Sequence, residues 1–196
     1  SSYKAMTKEE IHKAIAIPVT FVDEKPKFLT VRDRRHREWI FVTGGCRKRE
    51  VASPMYCALR ELEEETRGVL KLKSGVYTSF TFETTERSPE DLELDRKAGI
   101  QVTLIYHVYI FFTKINTGEQ QQMIHKFNEE KEKLEIRKRE KLSYRRTYDE
   151  NDFMTFDTLE TFKKKKRWDL IVNKVINNPE FYIALNSLNK KTFNIR

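Results

Sequence analysis

Apolar and β-branched residues fall into short blocks separated by turn-forming or charged stretches. The run IAIPVTFV, Ile15 to Val22, is followed after DEKPK by FLTVR, Phe28 to Arg32, and this pattern predicts two paired strands. Charged RDRRHRE then separates FLTV from WIFV, Trp39 to Val42, a third short strand that runs into Gly44-Gly45. Ser53-Pro54 marks a helix start, since serine caps free N–H groups and proline suits the first helical position. That helix is expected to reach Thr66 or Arg67 and to stop near Gly68. Two further strands are predicted over Gly75–Thr85 and Ile100–Phe112, the second alternating as a central strand does, with ERSPEDLELDRKAG as a polar connection between them. From Gly118 to Arg146 the chain is helix-compatible and highly charged, with Met123, Ile124, Phe127, Leu134, Ile136 and Leu142 as an imperfect apolar stripe, and is read as an insertion. FMTF, Phe153 to Phe156, is a last short strand. Helical signals follow at Thr158–Lys164 and, as one or two helices, over Trp168–Asn189.

Composition narrows this picture. A chain of 196 residues with 38% apolar residues and only 6 Gly and 5 Pro is globular rather than disordered or fibrous. At that length it buries roughly 70% of its unfolded surface and needs no disulfide or zinc staple. The two cysteines, Cys46 and Cys57, define no disulfide framework, and a reducing, cytoplasmic setting is expected. No stretch approaches the ~18 uncharged apolar residues of a membrane span, and SSYKAMTKEE lacks the apolar core of a signal peptide. The excess of 38 Lys+Arg over 30 Asp+Glu, a formal charge of +8, favours an anionic partner such as a nucleic acid or a polyphosphate.

The chemistry concentrates in GGCRKREVASPMYCALRELEEETRGVL, Gly44 to Leu70. On a helix at 100° per residue, with Glu61 at zero, Glu64 falls at about −60° and Glu65 at about +40°, so three carboxylates share one arc. Glu63 points elsewhere. Met55, Ala58, Leu59 and Leu62 form an adjoining apolar face that anchors the helix. Like charges at this spacing repel by a few tenths of a kcal/mol per pair. A solvated acidic face tolerates that cost, whereas a divalent cation removes it, and clustered hard oxygens select Mg²⁺ or Mn²⁺.

The flanking residues decide between the two. Gly44, Glu50 and Arg60-Glu61-Leu62-Glu63-Glu64-Glu65 resemble the signature of the Nudix hydrolases, G-x5-E-x7-R-E-U-x-E-E-x-G-U with U aliphatic. The chain departs from it twice: nine residues rather than seven separate Glu50 from Arg60, and Arg67 stands where the pattern has glycine, with Gly68 one position late. WIFVTGG is similar to the W-x-F-P-G-G run of that family. The resemblance implies an α+β fold, an α/β/α sandwich with a mixed sheet. It would be a single domain over 1–196, with a helical insertion at about 118–146 and a C-terminal helical segment at about 158–190. It implies a pyrophosphohydrolase whose metals are held by Glu61, Glu64 and Glu65 with a carbonyl at Gly44 or Gly45. Arg60 would orient a ligand carboxylate, or form a plain surface ion pair. A further acid outside the box is expected before FDTLETF, and Glu150 is the candidate, with Asp149 and Asp152 competing.

Other residues have simpler readings. Cys57 is a small packing residue. His12, His36, His107 and His125 show no paired spacing, which argues against a histidine metal site. Arg32, Arg34, Arg35 and Arg37 either grip phosphates bidentately or form a solvated hairpin. Arg32 and Arg34, with Trp39 and the run Lys163, Lys164, Lys165, Lys166 and Arg167, are the candidate substrate-binding residues, and that run, together with Arg137 to Lys141 and Arg145-Arg146, makes basic stretches suited to a long polyanion. The elaborated insertion and helical C-terminus resemble the Nudix decapping proteins of large DNA viruses, and the Lys, Ile and Asn bias fits an AT-rich viral genome. Capped RNA is therefore the expected substrate and a host cytoplasm the expected setting. A diphosphoinositol polyphosphate, ADP-ribose or another dinucleotide, and a non-catalytic RNA-binding module, stand as alternatives.

Overall fold

The computed structural model describes residues 6–73 and 75–194. Its strands are β1 (Thr7–Val22), β2 (Lys25–Asp33), β3 (Trp39–Ile40), β4 (Val42–Gly45), β5 (Tyr77–Thr84), β6 (Ile100–Phe112) and β7 (Asn151–Asp157). Its α-helices are α1 (Pro54–Glu65), α2 (Pro89–Ala98), α3 (Thr117–Arg139), α4 (Leu159–Lys164) and α5 (Pro179–Asn194), with a wide helical turn at Ile171–Ile176. The strands form one mixed sheet in the order β3-β2-β1-β6-β5, with β4 also on β1 and β7 on β2. β1 and β6 run parallel and the other pairs antiparallel.

Alternation along β1 builds both layers. Ile15, Ile17 and Val19 face a core completed by Phe28, Phe41, Val108 and Ile110 and roofed by Phe162, Ile171, Val175, Phe181 and Leu188 of the C-terminal helices. Ala14 and Ala16 face the other way, with Leu29, Val31 and Val42, and are covered by Cys57, Ala58 and Leu62 of α1 and Phe127 of α3. Each fully buried Leu or Phe there is worth roughly 1.5–3 kcal/mol. The two alanines matter for position: Ala14 pairs with Gly44 and Ala16 with Val42, so α1 rests on small side chains and comes close to the β4 backbone. The result is the α/β/α sandwich expected from the sequence.

Several elements differ from expectation. β1 begins at Thr7, because Thr7–Lys13 pair in register with Ile100–Tyr106, and backbone ladder bonds do not depend on the polarity of TKEEIHK. WIFV divides at Phe41, Trp39-Ile40 pairing with β2 and Val42 onward with β1. The stretch expected to be a polar connection holds α2, capped by Ser88, whose hydroxyl accepts from the Asp91 amide at 3.1 Å, and closed by Gly99 at φ 68°. α2 has no apolar stripe, with Leu92 and Leu94 both exposed, so periodicity could not show it. α3 ends at Arg139 rather than continuing to Arg146, and of the proposed stripe only Phe127 and Leu134 are buried, while Ile136 and Leu142 face solvent. His12 and His107, unpaired by sequence spacing, meet across the β1–β6 ladder with Nδ1 and Nε2 2.9 Å apart.

Candidate active site

α1 carries the acidic cluster against the β4 turn. Glu61, Glu64 and Glu65 are buried, whereas Glu63 turns away toward the Tyr148 hydroxyl at 3.4 Å and Lys71 at 3.5 Å. The face drawn on the helical wheel is the face observed. Gly44 makes the approach possible, since a Cβ there would occupy the place of the Glu61 carboxylate.

Arg60 ties the turn to the helix. Its Nε and Nη2 donate to both oxygens of Glu50 at 2.8 Å, Nη1 donates to Glu61 at 2.9 Å and Glu64 at 3.1 Å, and Nη2 also reaches the Gly45 carbonyl at 3.0 Å. Such bidentate, charge-assisted pairs fix geometry as well as energy. Arg60 is therefore not a plain surface ion pair. The two extra residues before Arg60 are absorbed in the exposed Val51–Ser53 turn, and Glu50, on a single helical turn at Lys48–Glu50, still meets its guanidinium. That contact, with the Arg47 amide at 2.7 Å, holds the Glu50 carboxyl down to about 2.

The other carboxylates shift the opposite way. Burial pushes Glu61 up to about 7, against the pull of Arg60 and with Glu64 adding repulsion, and it pushes Glu65 well above the carboxylate range. Glu65 Oε1 accepts from Asn151 Nδ2 at 3.1 Å, while its Oε2 is buried with no partner among the described residues.

Around the start of β7, Asp149 is taken by Arg34 at 2.9 Å and Lys138 at 2.5 Å, and Asp152 by Arg32 at 3.0 and 2.6 Å. Glu150 lies between them with no ion pair among the described residues, raised by partial desolvation and by the Glu64 charge it faces. Of the three competing acids, Glu150 alone has no ion pair among the described residues, and its carboxyl senses the Glu64 charge.

Arg67 and Asn151 were not anticipated. Arg67 lies at φ 56°, buried, and donates to the backbone carbonyls of Tyr148 at 2.8 Å, Asn151 at 2.6 Å and Phe127 at 3.3 Å, its guanidinium stacked 4.2 Å over the Phe127 ring. Together with Asn151 on Glu65, it fastens the segment carrying Glu150 to the end of α1. The departure from glycine at this position was the signal in the sequence.

The basic candidates divide. Arg32 and Arg34 are engaged as above, Lys165 pairs with Asp157 at 2.7 Å and covers the Trp39 ring at 3.8 Å, and Arg167 turns onto the carbonyls of Lys163 and Lys165. Trp39 is thus occupied on one face by Lys165, with Phe153 stacked at 6.4 Å. Lys163, Lys164, Arg35 and Arg37 have no ion pair among the described residues. The two basic stretches are neighbours: Arg167 bridges to Trp39, and Lys166 Nζ lies 3.5 Å from the His36 carbonyl.

Among the described residues no three acids stand close enough to form a ready metal cage. The orphaned Glu65 oxygen and the Gly44 cradle that a Cβ would fill are the features of chemistry suited to a hard divalent cation.

Residues 11–159 match the NUDIX domain family, and the chain belongs to that family. It is accordingly a pyrophosphohydrolase. In fold it is similar to the NUDIX domain of Shewanella oneidensis NrtR complexed with ADP ribose, at 12% identity and TM-score 0.48, covering 84% of this chain and 80% of that one. A C. elegans Ap4A hydrolase in a binary complex gives 12%, 0.42, 94% and 99%. A mutT/nudix family protein from Listeria innocua gives 13%, 0.45, 93% and 96%. No curated protein matches the chain. Among the described residues no helix is long and apolar enough to cross a membrane.

Proposed function

We propose that the chain hydrolyses one pyrophosphate bond in the triphosphate bridge of the 5′ cap of RNA, water adding across it to release 7-methylguanosine diphosphate and RNA with a 5′ monophosphate. Glu61, Glu64 and Glu65, with the carbonyl of Gly44 or Gly45, would hold Mg²⁺ or Mn²⁺, which when bound neutralises phosphate charge and lowers the pKa of water. Glu150 would accept the proton of the attacking water, its carboxyl raised by desolvation and by the Glu64 charge. Arg60 positions Glu61 and Glu64 and locks the turn through Glu50.

The observation that carries the RNA reading is the continuity of the basic surface with the acid. The Arg34 amide donates to the Glu150 carbonyl at 3.0 Å, the same hairpin leads to Arg35, His36 and Arg37, and His36 adjoins Lys166 of the lysine run. Arg35, Arg37, Lys164 and Lys163, which have no ion pair among the described residues, are the cations an RNA backbone would meet.

Capped RNA of some tens of nucleotides, free cap dinucleotide, diphosphoinositol and ADP-ribose are compared with Mg²⁺ or Mn²⁺. Long capped RNA should be cut fastest, with a rate that falls steeply as salt rises, because phosphate contacts release counterions. Replacing Lys163, Lys164 and Lys166 by Ala, with Lys165 left on Asp157, should flatten that salt dependence. Faster cleavage of a small substrate, uncompeted by uncapped RNA, would overturn the assignment.

A further inference from the structure

The end of α3 folds back on itself and encloses a groove. The chain reverses at Lys141, φ 56°, where the Leu142 amide donates to the Arg137 carbonyl at 2.8 Å, and residues 143–148 return beside the helix. Between the helix and the returning segment lies an open groove of about 490 Å³, within the range of clefts that take small ligands. Leu134, itself buried, lines it together with Lys133, Arg137, Tyr144, Arg145 and Tyr148.

The charge of this groove is unbalanced. Lys133 is answered by Glu130 at 3.2 Å, but Arg137 and Arg145 have no ion pair among the described residues. Arg137 Nε donates to the Ser143 carbonyl at 2.6 Å, and Arg145 lies 4.2 Å over the Tyr148 ring with Nη1 donating to its hydroxyl at 2.9 Å. Neutral acceptors thus hold both guanidinium groups in place without neutralising them. Tyr144 is 38% exposed, with the Lys138 ammonium 5.6 Å from its ring centroid. Cations alone would suit any polyanion, whereas exposed rings between them add a surface for the flat face of a base, the combination by which proteins hold single strands. The groove also adjoins the active site. Its Tyr148 hydroxyl lies 3.4 Å from Glu63 of α1, two residues before Glu150, and Asp149 is gripped both by Lys138 of α3 and by Arg34 of the basic hairpin. Groove and hairpin therefore flank the segment that carries Glu150.

We propose that this groove binds a nucleotide of single-stranded RNA, its base stacked on Tyr144 and its phosphate taken by Arg137 and Arg145. This rests on the RNA reading above and extends it by a contact on α3, separate from the hairpin and the lysine run.

Binding of an uncapped single-stranded RNA of some tens of nucleotides, followed by fluorescence anisotropy in EDTA over a range of salt, tests it. Tyr144→Ala should weaken binding at least fivefold with the salt slope unchanged, since stacking releases no counterions, and Tyr144→Phe, which keeps the ring, should bind as wild type. Arg137→Gln should weaken binding and lower the slope of log K against log salt by about 0.7, one phosphate contact on a single strand. Inorganic polyphosphate should bind wild type and Tyr144→Ala alike. Unchanged RNA affinity in both Tyr144→Ala and Arg137→Gln would overturn the proposal, as would an equal loss of polyphosphate binding in Tyr144→Ala, which would make the groove a general anion site. Wild-type protein that removes caps while the groove variants bind RNA normally would strike the groove and leave the decapping reading. Groove-dependent RNA binding by a protein that removes no cap would strike the decapping reading and leave this one standing.

Discussion

Replacing Arg67 with glycine, the residue of the family pattern, tests how the distal acid is held. The guanidinium donates three bonds to carbonyls of Tyr148, Asn151 and Phe127, and bonds from a charged donor are worth about 1.5–3 kcal/mol each. Two terms offset them. Burial lowers the Arg67 pKa from 12.5 to about 10, a desolvation cost of about 3 kcal/mol. The left-handed backbone at φ 56° costs a non-glycine residue about 1–2 kcal/mol, which glycine recovers. The balance runs from near zero to a net loss of about 5 kcal/mol in Arg67→Gly, about 2 kcal/mol at the middle of these ranges, read from urea denaturation at constant slope. Tyr148 and Asn151 bracket Glu150, so amide exchange across residues 145–151 should quicken, and kcat should fall with little change in KM. Arg67→Lys should recover less than half, since one ammonium does not span three carbonyls in the fork's geometry. Exchange across residues 145–151 as slow as in wild type in Arg67→Gly, with turnover intact, would refute the reasoning.

The metal-free protein should lose stability as pH rises from about 4.5 through 7. Glu61 is raised from 4.5 to about 7, so the folded state binds its proton more tightly, which corresponds to about 3 kcal/mol. Melting curves in EDTA should show this decline and Mg²⁺ should remove it; a flat profile in EDTA contradicts the burial assigned to Glu61. At the acid end, Glu50, held at about 2 by Arg60, contributes stability that is present above pH 4.5 and fades toward pH 2, and Glu50→Gln should abolish that acid limb. Gly44→Ala should leave the fold intact by circular dichroism but displace the Glu61 carboxylate, weakening Mn²⁺ affinity and turnover together by at least tenfold. Glu64→Gln should cost orders of magnitude in turnover and Glu63→Gln little, and equal losses would mean that the carboxylate face is misassigned.

What was legible in the sequence was periodic or locally punctuated. The α1 carboxylate face follows from 100° per residue, and its limits from Ser53-Pro54 and Gly68. Contacts between segments distant in sequence left no such trace. Asp149, Glu150 and Asp152 are equivalent as letters, and only the third dimension shows Arg34 and Lys138 on the first and Arg32 on the last. Ion pairing likewise sorted the basic residues, removing Arg32 and Lys165 from a list in which charge alone had placed every cation equally.

The two departures from the family pattern have unequal consequences. Two extra residues before Arg60 change nothing at the site, because a solvent-exposed turn lengthens at a cost that grows only slowly with loop length, while the Glu50–Arg60 pair closes it from within. Arg67 for glycine changes the architecture. Glycine at the end of a helix supplies only a left-handed turn, but arginine in that conformation also sends a buried cation into the carbonyls of α3, of the segment before β7 and of the first residue of β7. α3 is thereby joined to the end of α1: its Phe127 carbonyl and ring hold the same guanidinium that holds Tyr148 and Asn151 on either side of Glu150. A helix read from sequence as an insertion is thus fastened to the end of α1 and to the residues on either side of Glu150. Truncating Phe127 to Ala should therefore cost more than the 3–5 kcal/mol of a large core deletion suggests, and should lower turnover without touching any residue of the box.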